Sequence, residues 1–83
     1  MNMQVKPLCI ATTACRDGIA AAELFPGERV RLYLNCEYVG SGERDDAGRI
    51  EDLDIDAADL IPEQALCVLE SELLRRCPCQ LST

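Results

Sequence analysis

The sequence predicts a small α+β domain, an antiparallel sheet in the element order β-α-β-β-α with the helices packed on one face. Three observations predict it. Apolar and polar residues alternate from Arg29 to Val39, a shorter alternating run centres on Leu53 and Ile55, and leucines recur at helical spacing (Leu66, Leu69, Leu73) near the end. The 83 residues read as one domain, 1–83, and a chain this short buries only about 60–65% of the surface that its unfolded form exposes. Phe25, Tyr33 and Tyr38 are the whole aromatic complement, so Leu, Ile, Val, Ala and Cys must fill the core. A core that thin is helped by a second copy, and a homodimer is one expectation.

In chain order, Val5 to Thr12 has the β-branched content of a strand. Gly18 to Phe25, with Ile19, three alanines and Leu24, reads as a short helix ended by the Pro26-Gly27 turn. The alternation after it puts Val30, Leu32, Leu34, Cys36 and Tyr38 on an inner face and Arg29, Arg31, Tyr33, Asn35 and Glu37 on an outer one. Gly40-Ser41-Gly42 and Ala47-Gly48 bracket a polar segment expected to be a mobile loop. In the second run Leu53 and Ile55 point inward and Asp52, Asp54 and Asp56 outward, with a bulge near Glu51 accommodating Ile50, so the two runs form an antiparallel hairpin. The last helix is predicted from Pro62 to Arg76. Pro62 suits a first helical position, Glu63 and Arg75-Arg76 complement the two ends of the dipole, and Pro78 prevents continuation.

Charge is the most informative functional signal. Between Glu43 and Glu63 nine acidic residues face two arginines, which accounts for the whole net charge of −7. A focused single-sign field steers encounter with an opposite one, so the expected partner is a protein with a basic surface. The candidate partner-binding residues are Asp52, Asp54, Asp56, Asp45, Asp46 and Glu43. On an extended strand, residues two apart share a face at about 6.6–6.8 Å spacing, so Asp52, Asp54 and Asp56 would form a carboxylate row resembling a phosphate backbone. The plainer reading is a solvated outer face whose charges guard a sheet edge. The same aspartates with Glu63 also match calcium-loop spacing, but Ala57 stands where that loop needs glycine and Leu53 and Ile55 intrude among the ligands.

Several classes are disfavoured. Eight basic residues against fifteen acidic ones argue against direct nucleic-acid binding. No apolar run approaches the roughly 20 residues of a membrane span, and Pro7, Thr12, Thr13, Arg16 and Asp17 interrupt any signal-like stretch after Lys6, so a cytoplasmic protein without a membrane partner is expected. The chain has no histidine, hence no Ser-His-Asp or Cys-His constellation, and a solvated aspartate row offers no means of splitting carboxylate pKa values. It reads as non-enzymatic, with no cofactor.

The six cysteines leave an alternative. Cys36 and Cys67 read as small core hydrophobes. Cys9, Cys15, Cys77 and Cys79 would supply four thiolates to a structural zinc if the termini meet, although their spacing departs from the usual pairs two to four residues apart. Cys77-Pro78-Cys79 is not a Cys-x-x-Cys motif, and a helix C-terminus opposes a thiolate, so redox catalysis is not expected.

Gly48-Arg49-Ile50-Glu51, Leu53-Asp54-Ile55, the run Ala57 to Gln64 and the leucine-rich helix resemble the C-terminal parts of small phage and prophage accessory proteins over about 30 of the 83 residues. The resemblance implies a compact acidic inhibitor of the anti-CRISPR kind, one that blocks a basic nucleic-acid-binding surface. It carries over no signature residue.

Overall fold

Strand pairing dominates the first half of the chain. The computed structural model describes residues 6–78. Five strands, β1 (Cys9–Cys15), β2 (Gly18–Phe25), β3 (Arg29–Leu34), β4 (Glu37–Arg44) and β5 (Ile50–Glu51), pair in chain order as one antiparallel sheet. Two helices follow, α1 (Ile55–Leu60) and α2 (Glu63–Arg76). The α+β class and the antiparallel sheet are as expected, but the order β-β-β-β-β-α-α replaces β-α-β-β-α.

The first correction is β2, expected as a helix. Its alanines favour a helix locally, yet Ala20, Ala22 and Leu24 are buried while Ile19 between them and the turn is half exposed, a period of two. Cys15 pairs with Gly18 across the two-residue Arg16-Asp17 turn, and β2 bonds strands on both sides, so ladder formation overrides propensity. The preceding strand runs from Cys9 rather than from Val5, which lies outside the described residues.

The second correction splits the long alternating run. Asn35 and Cys36 both have positive φ, 52° and 70°, as the central residues of a tight hairpin turn require. Asn35 Oδ1 accepts a hydrogen bond from Ile19 N (3.0 Å) and its Nδ2 donates to the Asp17 carbonyl (2.9 Å), locking two neighbouring turns together. Cys36 is therefore exposed at a turn and is not a core residue. A register shift between Leu32 and Tyr33 places Tyr38 opposite Tyr33, edge to face with centroids 5.9 Å apart, so Tyr38 lies on the open face and not in the core.

In place of a mobile loop, residues 45–49 form a hydrogen-bonded hairpin. Asp45 Oδ1 accepts from Ala47 N (2.9 Å) and Arg49 N (2.8 Å), and Asp45 N donates to the Arg49 carbonyl (2.8 Å). Gly48 has φ 86°, and a Cβ there would stand 2.9 Å from Leu74 Cδ1, so the hairpin lies against α2 only because this position lacks a side chain. The second alternating run contributes just two strand residues. Asp52, at φ 56°, turns the chain, and Asp54 becomes the N-cap residue of α1.

The core lies between one face of the sheet and the two helices. Ala11, Ala20, Ala22, Leu24, Val30 and Leu32 from the sheet meet Ala57, Ile61, Ala65, Leu69 and Leu73. Small residues on the sheet let the helices approach, and a Cβ at Gly40 would meet that of Ala57 at 2.8 Å. α2 matches its expected span with Pro62 at the N-cap, but its buried line is Ala65, Leu69 and Leu73, Leu66 is only partly buried, and Cys67 is exposed rather than core. Beneath the sheet end, Arg44 is buried. Its Nε pairs with Glu28 Oε1 at 2.6 Å and its Nη1 donates to the Cys77 carbonyl at 2.7 Å. Among the described residues no helix is long and apolar enough to cross a membrane.

Candidate functional site

The acidic residues gather at one corner of the sheet, but not as a strand row. β4 and β5 bring Glu43 directly opposite Glu51. On its other side Glu43 faces Arg29 of β3, so a repulsive and an attractive cross-strand neighbour flank it. Asp52 follows in the left-handed region, a conformation that Asp tolerates at a cost of about 1 kcal/mol. Asp54 is anchored: its Oδ2 accepts from Ser41 N at 3.1 Å and its own N–H donates to the Ser41 carbonyl at 3.2 Å. Asp56 sits in the first turn of α1, where the dipole suits a carboxylate.

The sequence-derived row of Asp52, Asp54 and Asp56 is thus overturned, because a left-handed residue and a helix start interrupt the extended backbone that the row needs. The three aspartates still share a corner. Asp52 and Asp54 line a shallow groove with Glu43 and Tyr38, and Asp54 and Asp56 line an adjoining one with Tyr38 and Leu53. Tyr38, 57% exposed, stands between the two. The far wall of the first groove carries Arg29 and Arg31, with the Arg31 guanidinium 5.0 Å from the Phe25 ring centroid. Among the described residues Glu43, Asp52 and Asp56 have no ion pair. Asp45 is committed to its hairpin and Asp46 is exposed at the hairpin tip.

Sequence reasoning missed Tyr38 as a surface residue. The available signal was Asn35, the residue preferred at the first central position of a tight hairpin turn. The run Asn35-Cys36 lacked the glycine that would have made the turn obvious.

The thiols do not gather as four. Cys9 and Cys77 lie side by side where the end of α2 meets the start of β1, and burial together with the neighbouring Cys77 thiol pushes the Cys9 thiol up to about 11. Cys15 is at the other end of β1, roughly 20 Å away at strand rise, and Cys79 lies outside the described residues. Among the described residues no three Cys, Asp or Glu side chains are arranged to hold a metal ion.

Comparison with protein-family models, with curated proteins and with solved structures finds no match to this chain.

Proposed function

We propose that this protein is a non-enzymatic interaction module whose acidic corner docks on a basic partner surface. The observation that carries the reading is the set of exposed, unpaired carboxylates of Glu43, Asp52 and Asp56 arranged around Tyr38. An exposed tyrosine ringed by charge is the composition of an interaction hot spot, with the ring supplying buried area and the carboxylates supplying steering and register. The cross-strand pairing of Glu43 with Glu51 supports it further, since it places two carboxylates side by side at this corner. In its narrower form the reading is a phage-type inhibitor that occupies a basic groove on a nucleic-acid-binding protein and excludes the nucleic acid.

The test is displacement of labelled DNA from a panel of purified basic nucleic-acid-binding proteins. The native chain should release DNA from at least one of them. The combined variant Glu43→Gln, Asp52→Asn, Asp56→Asn, which leaves the structural Asp54 intact, should be weaker by roughly tenfold or more, with a shallower salt dependence. Equal activity of variant and native chain, or release from no member of the panel, refutes the reading.

A further inference from the structure

Where the last helix ends on the first strand, two thiols meet. Cys9 and Cys77 are both partly buried against the core between sheet and helices, and their side chains share a hydrogen bond. Two arginines fix the main chain around them. Arg44 Nη1 donates to the Cys77 carbonyl at 2.7 Å, and Arg76 Nη1 donates at 3.0 Å to the carbonyl of Ile10, the neighbour of Cys9. Both guanidinium groups also favour a thiolate at Cys9. Cys77 has left the helix, with φ −136° and ψ 85°, so its side chain turns without disturbing α2. Among the described residues no other thiol shares this place: Cys15 closes the far end of β1, and Cys36 and Cys67 are exposed on a hairpin turn and on α2.

We propose that Cys9 and Cys77 are an oxidisable pair, a modification site at which a small-molecule disulfide of the glutathione class converts the two thiols into one intramolecular disulfide that staples α2 to β1. The Cys77 thiolate attacks one sulfur of glutathione disulfide, a bond forms between them, and the other glutathione leaves as a thiolate. The Cys9 thiolate then attacks the Cys77 sulfur, the protein disulfide forms, and the second glutathione leaves. The protein dithiol is oxidised by two electrons and glutathione disulfide is reduced by two, while the two cysteine protons end on the two departing glutathiones. Cys77 goes first, because burial and the neighbouring Cys77 thiol hold Cys9 protonated, its thiol pushed up to about 11. Once in the mixed disulfide, Cys77 no longer carries the charge that opposes a Cys9 thiolate.

The bond joins the first strand to the end of the last helix, so all five strands and both helices lie inside one covalent loop. Closing so long a loop removes freedom chiefly from the unfolded chain. Folding in turn presents the two thiols to each other. The factor by which the fold favours the disulfide is therefore the factor by which the disulfide favours the fold. This inference does not rest on the proposed function.

Glutathione redox buffers at mildly alkaline pH test it, on the full chain carrying Cys36→Ser and Cys67→Ser so that the exposed thiols do not compete. In native buffer the monomer should lose the mass of two hydrogens, and fragmentation should place the link between Cys9 and Cys77. Half-oxidation should need a buffer less oxidising by roughly tenfold or more than the same chain needs in urea. The oxidised chain should resist urea unfolding, its unfolding equilibrium constant lowered by that same factor. Cys9→Ser and Cys77→Ser should each abolish the link, whereas Cys15→Ser and Cys79→Ser should leave it, with circular dichroism checking the fold of each. A link to Cys15 or Cys79, or a buffer requirement no milder in the folded chain than in urea, overturns the proposal.

Discussion

Between Leu8 and Cys15 the β1 edge has no charged side chain, whereas the opposite edge of the sheet carries Glu37, Glu43 and Glu51, with Asp52 just beyond. The acidic edge is also cut short, since β5 has two residues. Charge, brevity and the left-handed Asp52 all discourage a strand from adding there, yet the same charges attract a surface of opposite sign. β1 instead presents outward backbone groups and an apolar rim, with Arg76 bonded to its Ile10 carbonyl. The difference teaches that one short antiparallel sheet can present two chemically unlike edges, one dominated by side-chain charge and one by main chain and apolar side chains.

The two edges are joined by Arg44, and the largest expected effect comes from cutting that link. Arg44 reaches from the acidic edge to Glu28 and to the carbonyl of Cys77 beside β1. Arg44→Ala should cost about 3 kcal/mol in urea unfolding, because a buried, hydrogen-bonded charge is lost and its partners are stranded. Gly48→Ala comes next, at about 1–2 kcal/mol by the same measurement, since the new Cβ adopts a left-handed backbone and meets Leu74.

A smaller effect sharpens the β1 side. The Cys9 thiol is pushed from 9.0 up to about 11, so its contribution to stability is complete below about pH 9 and is lost as pH rises through 11. The loss stays modest because the thiol is only partly buried. Melting temperatures across this alkaline window should fall less steeply in Cys9→Ala than in the native chain. Tyr33, also raised, chiefly by its hydrogen bond to Glu23, provides the common background. Cys36→Gly, away from both edges, should stabilise by about 0.5–1 kcal/mol by relieving a left-handed cysteine in a hairpin turn. Least of all, Glu43→Gln should shift stability in urea unfolding by no more than a few tenths of a kcal/mol, because relief of repulsion with Glu51 on β5 is offset by loss of attraction to Arg29 on β3.

The reading of the sequence succeeded where local chemistry and tertiary structure agree. In α2, Pro62, Glu63, the arginine pair and Pro78 all point to one helix, and nothing in the packing contradicts them. It failed where the two diverge. Ala20-Ala21-Ala22 favour a helix in isolation, but β1 and β3 supply ladder partners that no local window contains. Asn35-Cys36 interrupts no alternation, so the turn was hidden inside a continuous strand pattern, and with it went the true side of Tyr38 and Cys36. The acidic residues were found, but their arrangement depends on the φ of Asp52 and on Asp54 starting a helix, which the alternating run concealed. The pairing of Cys9 with Cys77 was half visible, since both were grouped near the meeting of the chain ends.

The meander has a consequence for the order of assembly. Each strand bonds its immediate neighbour in the chain, so four hairpin closures need only short loops. The return of α2 is of another kind, because the Arg76–Ile10 hydrogen bond spans 66 residues. The loop-closure entropy of folding is thereby concentrated in one late docking step. A chain emerging during synthesis can zip its sheet from the first strand onward, but the alanine-lined face of β1 and β2 stays wet until the final helix arrives.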